Sequence, residues 1–221
     1  MREVDALDRS VHGILLAGGS GSRYAAQTQG ADKLLASLPD GRAVLAASAE
    51  TLLRVLPQVL AVVPPDRPAR AALLRGLGCT VLMAPATAEG MGASLAVAAR
   101  HLLAQAGAAS AAPDMHGTSE PALARSQPAG VLVALGDMPW VPPDIIAQVA
   151  RALATHRAAA PVYQGQRGHP VGFAWTLLPA LAQLQRDVGA RPVLAKETVY
   201  TFAVDAPGVL RDVDVPADLR G

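Results

Sequence analysis

The sequence predicts a three-layer α/β/α domain built on a mostly parallel sheet. Short apolar runs alternate with longer stretches of helical spacing, the pattern left by strands joined through crossover helices. The first of those runs breaks straight into a glycine-rich turn. The 221 residues are 51% apolar, enough to bury a core without disulfides or a structural metal.

In chain order, residues 13–17 read as the first strand, an apolar run ended by glycines. Residues 43–56 carry helical spacing, and residues 59–63 form a second strand stopped by Pro64-Pro65. A helix over 69–76 closes on Gly76, a buried strand follows over 79–83, and 92–105 is a third helix. Residues 106–129 lack periodicity and contain Pro113, Pro121 and Pro128, so they read as a long, flexible surface loop. The sheet resumes at 131–135, and a helix over 143–155 carries Pro143 in its first turn. Strands at 158–163 and 171–175 flank a turn at 164–168, and short helices fall at 177–184 and 190–196. Strands at 199–204 and 209–215 come before a terminal turn that Asp218 is suited to cap. No internal repeat is present, and 1–221 reads as a single domain.

Composition narrows the classes. Aromatic residues are only 3%, so the core must be Ala, Leu and Val packed closely. The 19 basic and 18 acidic residues are spread along the chain and leave a net charge of +1, which is no footprint for nucleic acid or a membrane surface. Cys79 is the single cysteine, which excludes a disulfide framework, and its apolar setting predicts inert packing. Residues 1–10 mix charges of both signs without an apolar run, unlike a signal peptide. No apolar stretch reaches the roughly 18 residues of a membrane span. The expectation is a soluble, cytoplasmic protein.

Leu16-Ala17-Gly18-Gly19-Ser20-Gly21-Ser22-Arg23 follows the first strand directly. Glycines at such a turn permit positive φ and let backbone N–H groups approach a phosphate. Arg23 offers a forked donor suited to phosphate oxygens, and Lys33, within Asp32-Lys33-Leu34-Leu35, adds a compact charge. The turn lacks the third glycine of a dinucleotide fingerprint, because Tyr24 or Ser22 falls there, and no Gly-Lys-Ser/Thr makes it a Walker loop. Taken alone, it is equally compatible with a structural role.

The stretch resembles the opening of the molybdopterin nucleotidyltransferase-like family, and four further segments match in the same order. These are Glu89-Gly90-Met91-Gly92-Ala93-Ser94-Leu95, Leu135-Gly136-Asp137-Met138-Pro139, Gly168-His169-Pro170-Val171, and the run from Asp212 through Asp214 to Leu219. The Gly-His-Pro-Val segment is similar to the cytidylyltransferase branch that acts on the molybdenum cofactor. Gly19 is shared with the guanylyltransferase branch. Departures are Arg23-Tyr24-Ala25 for Arg-Met-Gly, a longer gap to Lys33, Val215 for Thr, and Arg186-Asp187 for Gly-Asp. The resemblance implies a Rossmann-like nucleotidyltransferase fold and transfer of CMP from CTP to a phosphorylated molybdopterin acceptor.

Asp137 follows an apolar strand, which puts its carboxylate at the C-terminal edge of the sheet, where open α/β sheets bind ligands. Asp214, at the end of the last strand, reaches for the same edge, with Asp212 as the alternative second ligand. Two carboxylates with triphosphate oxygens and waters make a hard site suited to Mg²⁺; the bland reading of Asp137 is a helix cap. The expected chemistry is in-line attack on the α-phosphorus by an acceptor phosphate whose second pKa is about 6, so no general base is needed. Arg23, Lys33 and the N–H groups of residues 16–21 (Leu16, Ala17, Gly18, Gly19, Ser20, Gly21) would hold the phosphates. Gly90 and Ser94 flank the nucleoside, Ser94 from a helix N-terminus that favours anions. The resemblance alone places His169 beside the acceptor. Competing expectations are a guanylyltransferase, a sugar- or polyol-phosphate nucleotidyltransferase, and a non-catalytic carrier handing the cofactor to a molybdoenzyme or its chaperone.

Overall fold

A computed structural model describes residues 11–111 and 128–220. Strands β1 (Val11–Leu16), β2 (Val59–Val63), β3 (Thr80–Met83) and β4 (Gly130–Leu135) pair in parallel in the order β3-β2-β1-β4. Beyond β4 the sheet turns mixed, with β5 (Ala158–Tyr163), β6 (Gln166–Arg167) and β7 (Val171–Ala174) in the order β7-β5-β6, and β8 (Val199–Ala203) parallel to β5. β7 runs antiparallel to both β4 and β5.

The helices are α1 (Ser22–Gln27), α2 (Val44–Leu53), α3 (Pro68–Gly76), α4 (Met91–Ala111), α5 (Pro143–Ala152), α6 (Leu178–Leu181) and α7 (Arg191–Leu194). Period-two alternation divides the buried residues of the central strands between two cores. Leu15, Val59, Ala61 and Leu132 pack with residues of α2, α3 and α5. Ile14, Leu60, Val62, Val131 and Val133 pack on the opposite side with residues of α4, α6 and α7. The result is the three-layer α/β/α arrangement expected. Ala96, Ala98 and Ala99 are wholly buried with Leu95 on α4, so small side chains make up much of its packed face. Each fully buried Leu, such as Leu15 or Leu45, contributes about 1.5–3 kcal/mol.

Several boundaries differ from expectation. Residues 106–111 continue α4 rather than opening a loop, because alanine-rich sequence sustains a helix already anchored by packing; residues 112–127 of the expected loop lie outside the described residues. β3 is a half-exposed edge strand rather than a buried one, since only β2 pairs with it. Cys79, just before it, is buried, and burial pushes its thiol up to about 11. Residues 209–215 are not a strand. Val209 ends a 3₁₀ turn (Pro207–Val209), and the segment then spends its hydrogen bonds on loops: Val209 accepts from His169 N at 2.8 Å, and Val213 N donates to Asp137 O at 2.9 Å. No described helix is long and apolar enough to cross a membrane.

Strand order reverses direction about β1: the chain moves outward through β2 and β3, then returns to the other flank at β4. Ligands bind at such a switch point, outside the C-terminal strand ends. Leu16 pairs with Leu135, and Gly136 N donates to Leu16 O at 2.9 Å, so the glycine-rich turn and the Asp137 loop leave the sheet side by side.

Candidate active site

A cleft of about 450 Å³ opens at that switch point, a size suited to a small-molecule ligand. Leu16, Gly18, Gly19, Ser20, Gly90, Ser94 and Asp137 are among the residues that line it. All seven were expected there. Ala17 is buried within the turn instead, its N–H held by Val62 O at 3.0 Å.

Beside the cleft, side chains from three distant segments meet. Lys33, only 6% exposed, donates from Nζ to Asp137 Oδ2 at 2.7 Å and to Asp214 Oδ1 at 3.3 Å. Arg23 on α1, a helix the sequence reading did not anticipate, pairs with the other oxygen of Asp214. Burial by itself would lower the Lys33 pKa, but the Asp137 and Asp214 carboxylates outweigh it and leave the ammonium above its ordinary value. Gly21 makes this approach possible. Its φ is +62°, and a Cβ there would stand 3.0 Å from Lys33 Cγ.

Asp212 joins Asp137 and Asp214, with one oxygen from each carboxylate within 4.8 Å of the others. Burial and then the charges of Asp214 and Asp137 hold the Asp212 carboxyl above its ordinary value. Three carboxylates facing two cations leave unneutralised negative charge, and the donor set is all oxygen. Both features fit a hard divalent cation. Asp212 and Asp214 reach this spot on coil, not on a strand end, and Asp218 shapes the coil by accepting from Asp214 N and Val215 N, each at 2.8 Å. Those backbone bonds hold the Asp218 carboxyl below its usual range.

The Gly90 and Ser94 region is organised by Asp187, to which the sequence assigned no role. Gly90 has φ +117°, and a Cβ on it would lie 2.7 Å from Asp187 Cα, so the backbone that approaches it is the chain's own. Asp187 Oδ1 accepts from Met91 N at 3.1 Å, which places an internal carboxylate at the N-terminus of α4. That terminus is therefore already served. Ser94 is 3% exposed, and its hydroxyl donates to Gly90 O at 3.0 Å, fixing the turn it stands on. His169 does not line the cleft. It lines a cavity of about 10 Å³ beneath Met138, with Ser48 and Thr51. Burial holds its imidazole below the ordinary value despite Asp137 and the Val133 backbone.

Arg70 is the largest omission. It is 1% exposed on α3, between the glycine-rich turn and Asp32. Its spacing of four from the wholly buried Leu74 was a legible signal, an arginine on the apolar face of a helix.

The same architecture recurs in solved structures. Rv0371c of Mycobacterium tuberculosis H37Rv is 25% identical, with a TM-score of 0.71 over 96% of each chain. A manganese complex of that protein superposes with a TM-score of 0.66 at 24% identity, over 95% of this chain and 96% of that one. Molybdopterin-guanine dinucleotide biosynthesis protein A from Archaeoglobus fulgidus is 17% identical, with a TM-score of 0.58 over 94% of each. Comparison with curated proteins gives no match. In sequence, residues 13–202 match the MobA-like NTP transferase domain, a stretch that runs from β1 to β8 and carries the turn, Lys33 and Asp137. The chain is a nucleotidyltransferase of that MobA-like family.

Proposed function

We propose that the protein transfers CMP from CTP to a phosphorylated molybdopterin acceptor carrying molybdenum, and releases pyrophosphate. The observation that carries this reading is the cluster of Asp137, Asp212 and Asp214 around Lys33, at the edge of a cleft walled by a glycine-rich turn. The triphosphate lies along Gly18, Gly19, Ser20 and Gly21, whose N–H groups and the charges of Arg23 and Lys33 take the β- and γ-phosphates. The nucleoside extends toward Gly90 and Ser94. Mg²⁺ held by Asp137 and Asp214, with Asp212 beside them, supplies charge neutralisation at the α-phosphate.

The acceptor phosphate attacks the α-phosphorus in line, and the bond to the pyrophosphate oxygen breaks. Charge grows on the departing pyrophosphate, so Lys33 and Arg23 act more strongly there than on bound CTP. His169 serves the acceptor by shaping the Gly168-Pro170 turn rather than by contact, because it is not among the residues lining the cleft. The resemblance of Gly168-His169-Pro170-Val171 to the cytidylyl branch supports cytosine as the base.

The test is incubation with each of the four NTPs, Mg²⁺ and molybdenum-loaded cofactor, with pyrophosphate measured. CTP is expected to give the fastest release and a CMP-bearing product. GMP on the product would overturn the base assignment, and binding of the cofactor with no pyrophosphate from any NTP would make the protein a carrier.

A further inference from the structure

We infer that Arg70, held by Asp32, is a positioning residue that aims the N–H groups of the glycine-rich turn into the cleft; this rests on the nucleoside-triphosphate reading of that cleft. Arg70 Nη1 donates to Ala17 O at 2.7 Å and to Gly19 O at 3.1 Å. Nε and Nη2 donate to Asp32 Oδ2 and Oδ1 at 2.7 and 2.8 Å. The planar fork is thus spent on two backbone carbonyls on one side and a bidentate carboxylate on the other.

The consequence follows from peptide planarity. In a trans peptide the C=O of one residue points opposite to the N–H of the next. Drawing the Ala17 and Gly19 oxygens down onto a buried guanidinium therefore turns the Gly18 and Ser20 N–H groups the other way. Gly18, Gly19 and Ser20 line the cleft. Among the described residues, no protein acceptor takes the N–H of Gly18, Gly19, Ser20 or Gly21. The same contact keeps two carbonyl lone pairs away from the place where a polyphosphate brings its charge.

Asp32 links this to the second phosphate-facing group. Its Oδ1 also accepts from Leu34 N at 3.0 Å and so begins the 3₁₀ turn Lys33–Leu35 that carries the Lys33 ammonium. One ion pair therefore sets the register of the turn against Lys33. Packing alone does not require an ion pair here: replacing Arg70 and Asp32 together by apolar residues of similar volume would commonly serve the core equally well or better. What only the guanidinium does is hold both carbonyls and the carboxylate together.

Arg70→Lys and Asp32→Asn test the inference. Lysine keeps the charge but not the fork, and asparagine keeps an acceptor for Leu34 N while removing the charge that orients the guanidinium. Binding of inorganic pyrophosphate, CTP and CMP, each with Mg²⁺, is measured by calorimetry beside the thermal midpoint. In both variants affinity for pyrophosphate and CTP should fall about 10- to 100-fold, the scale typical of lost supporting partners, while CMP affinity changes far less. Unchanged pyrophosphate and CTP affinity in a folded variant overturns the inference and leaves the nucleotidyltransferase reading standing. An equal loss for CMP and pyrophosphate also overturns it, because it marks a general structural defect. If Arg70→Lys does not fold, Asp32→Asn decides alone. Wild-type protein that binds neither CTP nor pyrophosphate removes the triphosphate reading, and the inference with it.

Discussion

Two loops meet beside the carboxylate cluster, where Arg23 pairs with Asp214, and they are held by opposite means. The glycine-rich turn is clamped from beneath by Arg70, which is 1% exposed and bonded to an Asp32 side chain that is 13% exposed. The Asp212–Asp218 segment is shaped at the surface, by two backbone N–H groups converging on the Asp218 carboxylate. A buried ion pair is costly to break because each partner left behind is an uncompensated charge. A surface cap is a local bond that water can replace. Under the proposed function, the first loop would present fixed donors to phosphate charge, whereas the second would bring carboxylates to a cation whose own attraction helps to order them. On that proposal, rigidity lies where the ligand would supply least of it.

The largest effect should come from the point where both loops converge. Asp137→Asn is expected to lower pyrophosphate release by roughly 10²–10³-fold or more at saturating Mg²⁺, with the circular dichroism spectrum unchanged. Near-normal release would remove Asp137 from the metal-binding set. Next in size is the clamp's contribution to stability. Arg70→Leu leaves the Asp32 carboxylate and two carbonyls without their donor, and should cost about 3–5 kcal/mol, or on the order of 10 °C in thermal midpoint. A midpoint within a degree of wild type would show that this loop is no more rigidly held than its partner.

Lys33→Ala should reduce kcat more than Arg23→Ala. Lys33 has a side chain 7% exposed and bridges two carboxylates, whereas Arg23 is 75% exposed and touches one. Effects confined to KM would make both residues anchors of bound nucleotide rather than partners of the departing pyrophosphate. On the surface-capped side, Asp218→Ala should cost only about 1 kcal/mol, as lost caps do, and raise the metal concentration needed for half-maximal activity. A loss as large as that of Arg70→Leu, read from the same melting curves, would erase the contrast between the loops. The smallest effect is expected from replacing 113–126 with a short glycine-serine turn. The sequence of that stretch reads as a loop, and loop length alters stability slowly, so on that reading the change should stay under about 1 kcal/mol, with loss of cofactor transfer alone marking an acceptor contact.

Local physics made much of this legible beforehand. The alternation of apolar runs with helical spacing located β1, β2, β4 and β5 because strand and helix periods are properties of short segments. The turn after β1 and the placement of Asp137 after β4 followed from the same strand boundaries, whereas the Asp218 cap was legible from local sequence, its partners lying three and four residues away. α1 escaped notice because Gly21, in the left-handed region, begins it without a side-chain cap. Residues 209–215 have the composition of a strand, but their backbone bonds go to the His169 and Asp137 loops instead of a strand ladder.

By itself, then, the sequence determined the layer order, the glycine-rich turn and the strand-end carboxylate, each set by residues within a few positions of one another. Only the tertiary structure decided which charges meet. Lys33 finds Asp137 across 104 positions and Asp214 across 181, and Arg70 finds Asp32 across 38. Such pairings depend on how the parallel strands are ordered and on which loops end up flanking the reversal beside β1. Local periodicity carries no record of that order. It is fixed when both faces of the sheet are buried at once, and the site is assembled as a consequence of that burial.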